Sequence, residues 1–547
     1  MTRHQPTTPG ATHPVRHFRQ ILLWPLQLMP DRESGSIHRH WERLGEENKP
    51  WFEVNDEFHV DPAHFQARHY SEFVTFLPSV QRFLYGEGGA NRCHNSPIRV
   101  LRRADLKTVH LTFKEGNAPV TLSIAHIDLY FFYDIDVVIL AVEVFADDLD
   151  LMVIQELLFR FGRTFPPGWD DQGLGDHCLA KVEWLDREGQ VVIASDYENR
   201  AKFLSFVCRE RSAGISADWE YLLAPMVHHT SSRAGGLRYR QLEYGRMPMM
   251  AYLAVDDPST LSRADFVRLV LGTRGDPDDL APCSERFLAN FEAEYCHDRY
   301  WQVANPKVPD TRFLCSGHAF ITVGEAGSKF FTDSERGVLA QFRHQYFLLG
   351  LIAHFHKAAL LMFGDRLGAA VTRLEIRDPE SVKQFKRVIR KQFATFLRFT
   401  HRYWFHEVSI QSPAKALFAM YRRHHGTDSL FNDIRLEVQD MAQYLENDGL
   451  RRQANTVVRL TVVTTFGLIG TVTTGFLGMN LLAEADAPLS TKLLYFILTL
   501  IPSTIITLYT VMISKRMADL LEVLSDERLT LRKKLGFFTG TWKGGGE

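Results

Sequence analysis

Cysteine is scarce, charge is balanced, and the short signatures of many enzymes are missing from this chain. Six cysteines (Cys93, Cys178, Cys208, Cys283, Cys296, Cys315) are scattered over 547 residues with no C-x-x-C pair. That spacing argues against a disulfide framework or a cysteine zinc site and fits a reducing compartment. With 63 Lys and Arg against 65 Asp and Glu, the net charge is −2, which gives no electrostatic case for binding nucleic acid. There is no G-x-x-x-x-G-K-[ST] loop (GEAGSK at 324–329 fails the spacing), no H-E-x-x-H and no G-x-S-x-G. No enzymatic activity and no bound cofactor are expected. The opening MTRHQPTTPGATHPV lacks the apolar core of a signal peptide, so residues 1–49 are expected to be a flexible segment and the N-terminal bulk to stay in the cytoplasm.

Long apolar runs are present, near the C-terminus. Val457–Leu477 (VVRLTVVTTFGLIGTVTTGFL) and Leu493–Ile513 (LLYFILTLIPSTIITLYTVMI) each meet the length of a spanning helix. A third run, Tyr346–Phe363, carries His354, His356 and Lys357 near its centre. Such charges are costly in lipid, so it reads as a buried helix of the soluble part. Arg451, Arg452 and Arg459 precede the first span and Lys515 and Arg516 follow the second, while the loop between holds Glu484 and Asp486. The positive-inside rule then puts both termini in the cytoplasm and the acidic loop outside.

Between Pro97 and Val144 the chain is rich in β-branched residues broken by turn signals, and FLCSGHAFITVG at 313–324 is also extended. Helical periodicity runs over Asp150–Arg163 and stops at Pro166 and Pro167. An α+β domain is expected over 50–335. Beyond it lies a helical region, 336–456, in which Leu430, Ile434, Val438, Met441 and Leu445 form an apolar stripe. Without a proline from Ala414 to the end of the first span, one stalk helix is expected to run into the membrane.

On the first span Leu460, Thr464, Leu468, Thr471, Gly475 and Gly478 recur at three- or four-residue steps and share one face. Hydroxyls and glycines of this kind also serve helix packing in lipid. The other reading is a pore wall, where hydroxyls and carbonyls hold a hydrated cation and leucine rings close the path by dewetting. Magnesium suits that chemistry because it sheds its waters reluctantly. Two spans cannot enclose a pore, so this reading requires a symmetric homo-oligomer embedded in lipid.

The triplet Gly478-Met479-Asn480 closes the first of the two runs, before a short acidic loop and a basic exit at Lys515-Arg516. In that arrangement the region 400–516 resembles the CorA-type divalent metal transporters. The resemblance implies a passive, pentameric magnesium channel of the inner membrane, with Gly478, Met479 and Asn480 as the selectivity ring. It implies apolar constrictions at Leu460 and Leu468 and polar pore positions at Thr471 and Gly475, beside Thr464. A zinc-transporting branch has related pores, so zinc, cobalt or nickel are alternative cargoes. A non-conducting, membrane-anchored sensor or scaffold is the alternative of another class.

The chain departs from the family in its longer soluble region, in lacking a proline midway along the first span, and in Leu477 before the triplet. Family members sense internal magnesium through carboxylates between subunits, a role that would fall to Asp433, Glu437 and Asp440 here; a solvated helix face explains them as well. The histidine pairs (His228-His229, His354/His356, His401/His406, His424-His425) lack partners at metal-ligand spacing and read as structural. The expected architecture is therefore CorA-like and funnel-shaped. Its parts are a cytosolic α+β domain, a stalk helix, a first span over 457–480, an external loop over 481–492, a second span over 493–513, and a cytosolic tail over 514–547.

Overall fold

The computed structural model describes residues 13–29, 40–44, 50–54, 67–86, 97–232, 237–243, 245–275, 281–305, 308–375 and 378–478. Beyond these it describes 488–491, 493–494, 497–498, 501–502, 505 and 509. The chain divides into two compact units, Met1–Val438 and Gln439–Glu547.

β1 (Pro14–Met29) is followed by β2 (Trp51–Glu53) and two short helices, α1 (Ala67–Thr75) and α2 (Pro78–Tyr85). Then come β3 (Ile98–Arg103), β4 (Thr108–Thr112), β5 (Val120–Phe132) and β6 (Val137–Asp150). α3 (Leu151–Arg160) leads to β7 (Lys181–Leu185), β8 (Val191–Ala194), α4 (Arg200–Glu210) and α5 (Ala217–Leu223). β9 (Val227–His228), β10 (Arg238–Gln241) and β11 (Met249–Val255) precede α6 (Arg263–Leu271). α7 (Glu285–Leu288) and α8 (Phe291–Tyr295) run into β12 (Cys296–Tyr300), β13 (Thr311–Cys315) and β14 (Ala319–Glu325). Helices follow: α9 (Lys329–Thr332), α10 (Val338–Gln341), α11 (Phe347–Thr372), α12 (Pro379–Arg402), α13 (Ser412–His425) and α14 (Thr427–Gly478).

Among the described residues all the strands belong to one 14-stranded sheet, ordered β12-β13-β14-β11-β1-β6-β5-β4-β7-β8 with β2, β3, β9 and β10 attached to it. Pairing is antiparallel except for β11–β14 and β9–β10. β1 lies in the middle. It pairs with β6 along one side and with β11 and then β10 along the other. Pro25 falls between the last β11 pair, Leu22↔Met249, and the first β10 pair, Leu26↔Gln241. A strand can spare a backbone donor where its partner changes. The segment expected as a flexible tail thus holds the central strand, whose uninterrupted ILLWPLQL run is the mark of burial on both faces.

Several helix ends have a local cause. The Asp150 carboxylate caps α3 by accepting from the Met152 amide at 2.8 Å. Ser262 and Asp265 form a reciprocal capping box on α6, which Gly272 ends in the left-handed region at φ 55. Asp378 caps α12 ahead of Pro379 at its first position. α11 is apolar nearly all round and packs on β1, β6, α12 and α13.

The expected CorA-like architecture is corrected here. A 14-stranded mixed sheet is not the modest α+β domain of that plan. Among the described residues one helix is long and apolar enough to cross a membrane, Val338–Thr372, and most of it is buried inside the fold. The physical reason lies in the reading: periodicity treats each strand separately. It does not reveal that strands from Pro14 to Glu325 share one ladder.

Candidate functional site

The residues singled out in the sequence concentrate on α14. α13 ends at Gly426, whose φ of 62 lets its amide bond back to the Arg422 and Arg423 carbonyls. Ser429 Oγ donates to the Gly426 carbonyl at 2.9 Å, and Thr427 is buried as the new helix starts. One stripe of its first turns points inward. The Phe431 ring stacks on Trp404 at 4.5 Å, and Ile434 and Val438 are buried. A Cβ added to Gly364 on α11 would sit 3.0 Å from Ile434 Cδ1, so α11 and the base of α14 approach closely there.

Asp433, Glu437 and Asp440 occupy the other side of the same turns and are exposed. Among the described residues no group of three or more His, Cys, Asp or Glu is placed to hold a metal ion. A solvated face accounts for these three carboxylates.

Farther along, α14 carries the first apolar run as unbroken helix to Gly478. At 1.5 Å per residue the 21 residues of Val457–Leu477 extend about 31 Å, the thickness of a hydrocarbon core. Leu460, Thr464, Thr471 and Gly475 are all exposed, Leu460 at 63%. Val462, about half a turn round from Leu460, is buried. Leu468 is helical, with its side chain outside the description, and Gly478 is the last helical residue before residues that are not described. Met479, Asn480, Glu484 and Asp486 lie outside the described residues.

The threonines on this face have their protons committed. Thr464 Oγ1 donates to the Thr461 carbonyl at 2.9 Å, and Thr471 Oγ1 donates to the Gly467 carbonyl at 2.8 Å. A hydroxyl back-bonded in this way turns its lone pairs outward. The face therefore offers acceptors, which suits the water shell of a cation better than an anion.

The positions described within the second apolar run are helical and expose large apolar side chains, among them Leu493, Leu494, Leu498 and Ile505. Leu450 and Val457 on α14 are exposed as well. Exposed apolar side chains in such number exceed what a lone chain in water usually leaves uncovered.

Among the described residues of the first unit, the buried carboxylates are matched by cations. Glu143 on β6 accepts from Arg19 of β1 at 2.7 Å and from Arg343 at 3.1 Å. Burial alone would raise the Glu143 carboxyl, but the two guanidiniums outweigh it and hold the group below its ordinary value. Asp128 is gripped by both forks of Arg102, at 2.7 and 2.8 Å.

Asp218 is the exception. It sits among Trp184, Trp219 and Tyr197 with Oδ1 unpaired, and burial raises its carboxyl to about 6. The histidines expected to be structural divide by place: His354, His356 and His425 are buried, and His401 and His406 are exposed. Neither Asp218 nor His318 stands out in the sequence, because burial of a lone polar residue leaves no periodic mark. No family model and no curated protein matches this chain.

Proposed function

We propose that the chain is a passive divalent-cation channel of the cytoplasmic membrane, carrying magnesium, with the distal half of α14 from several identical copies lining a shared path. The observation that carries this reading is the face of Leu460, Thr464, Thr471 and Gly475, exposed and presenting hydroxyl acceptors whose protons the helix already holds. Acceptors of that kind hold a hydrated ion by its waters without stripping them, and leucines on the same face close the path when it dries. The exposed apolar side chains from Leu489 to Tyr509 support a lipid setting. One helix encloses nothing, so identical copies around an axis are part of the proposal.

Gly478, Met479 and Asn480 complete it as the outer selectivity ring, with Glu484 and Asp486 gathering cations beyond, on the strength of the sequence resemblance. The proposed route is passive and needs no ATP. An entering divalent ion gains about 2.3 kcal/mol per charge for each 100 mV of membrane potential. Zinc, cobalt or nickel would pass the same face, and competition for uptake separates them from magnesium.

The size of the sheet-rich unit favours a second reading, a membrane-anchored sensor or scaffold that conducts nothing. One experiment divides the two: magnesium flux into proteoliposomes for the wild type and for Asn480→Ala. The expected result is a fall of at least about tenfold, the size of effect of about 1.4 kcal/mol, with the assembled size unchanged. Wild-type protein without flux, or a variant with undiminished flux, removes the channel role of the ring.

A further inference from the structure

Three imidazoles meet inside the first unit, where α13 gives way to α14. His354 comes from α11, His425 ends α13, and His318 stands in the turn between β13 and β14. The rings of His354 and His425 lie 4.6 Å apart, and the Tyr421 ring is 6.0 Å from the first and 5.7 Å from the second. The strand turn is pressed on the helix end: a Cβ on Gly317 would come within 2.6 Å of the His424 carbonyl. His354, His425 and Tyr421 are buried, and the Nε2 of His318 is sealed from solvent.

What sets the cluster apart is how little holds its polar atoms. His354 Nδ1, His318 Nε2, both His425 nitrogens and the Tyr421 hydroxyl have no hydrogen bond of ordinary geometry. The Ala353 carbonyl draws on the His425 ring without reaching such a bond. Buried polar groups are nearly always paired, so this many together in one place calls for a reason.

The charges bearing on the cluster are positive. Lys357 acts on all three imidazoles, and its ammonium is 2.9 Å from Glu243, whose other oxygen is unpaired. Arg246 and Arg163 act on His318, and His424 and His356 on His425. His424 is itself bonded to the Glu294 carbonyl, and His356 to that of Tyr403. Cys315, at the head of the strand turn, feels Arg423. The carboxylates nearby are otherwise engaged: Lys357 takes up Glu243, while Glu294 acts on His424 and Asp428 on His356.

We propose that His318, His354 and His425 form an acid-sensitive latch on the α13–α14 corner, closed while all three rings are neutral and opened when one takes a proton. Opening separates the last turn of α13 from the β13–β14 turn. Gly426 alone joins α13 to α14, so the base of the long helix is released with it. The latch does not depend on what the distal half of α14 conducts.

The sign is fixed by which state binds protons more readily. Burial first, then neighbouring positive charge, holds His354 and His318 well below the ordinary histidine value and His425 at about 3. A group depressed in the folded state holds the corner fully above its unfolded value, near 6.5, and gives up that hold as the pH falls below it.

Hydrogen exchange on the full chain tests the latch, following the amides of residues 418–432 at pH 7.5 and 5.5 after correction for intrinsic rates. Protection there should fall at least tenfold at the lower pH while α12 keeps its own. The triple variant His318→Gln, His354→Gln, His425→Gln should show the same protection at both values. Wild-type protection that does not change with pH, or a variant that loses it as the wild type does, overturns the latch. Should the variant not fold, histidine labelled at Cε1 in the wild type decides by NMR. Rings that stay neutral until the corner opens support the latch; rings that titrate near 6.5 with the corner intact refute it.

Discussion

α11 and the distal half of α14 are both long and apolar, yet they meet opposite fates. α11 is enclosed by the sheet on one side and by α12 and α13 on the other, so even its histidines are buried. The far end of α14 keeps Val457 and Leu460 exposed beside threonines and glycines. Apolar composition alone therefore does not say where a helix resides. The discriminating detail is on its surface. α11 has Phe and Leu on every side for a protein interior to grip, while α14 has small and hydroxylated residues along one line, which suits contact between helices or with hydrated ions.

Substitutions on the two helices should sharpen that contrast. The largest effect is expected for Phe355→Ala on α11. Phe355 is wholly buried and its ring lies 4.0 Å from Phe132 and 5.5 Å from Phe83. Removing it should cost about 3–5 kcal/mol, read as a lowered denaturation midpoint; a loss under ~1 kcal/mol would mean that α11 is not a core helix.

Next comes Asp218→Asn on α5, in the core cluster that holds Trp184 and Trp219 and away from the rings around Phe355. The Asp218 carboxyl titrates at about 6 in the fold, above its ordinary value, because burial penalises the charge. A carboxyl raised in this way weakens the fold as pH rises past its unfolded value, so the neutral amide should stabilise at pH 8 by about 1–3 kcal/mol. Melting at pH 8 and at pH 4 should show that gain shrinking in acid, and an equal or reversed gain would count against a buried charge.

The smallest effect on folding belongs to Leu460→Ala. An exposed leucine should change stability by no more than about 0.5 kcal/mol, with any change appearing in magnesium flux instead. A large loss of stability in detergent would show that this face is packed and would break the contrast.

Much of the first unit is legible from pattern. The β-branched runs over 97–144 mark β3 to β6, the two prolines after Arg163 agree with the end of α3, and charges inside Tyr346–Phe363 rightly suggest a buried helix. β1 escaped because Pro25 and the polar residues before Pro14 resemble a tail, while its apolar run lacks the alternation that announces a half-exposed strand. The sheet escaped for a different reason. β11 and β14 pair in parallel across α6 to α8, and such long-range pairing leaves no local trace. On the candidate face the spacing of Leu460, Thr464, Thr471 and Gly475 is visible in the sequence, but the commitment of the threonine protons is not.

The position of β1 also governs how the chain is made. It leaves the ribosome first among the strands, yet one of its neighbours ends at Asp150 and the other at Val255. Until β11 has been synthesised, most of one edge of that apolar strand stays open to pairing with the wrong chain. Nascent protein stalled between those two points should therefore be the species most prone to aggregate and most dependent on chaperones.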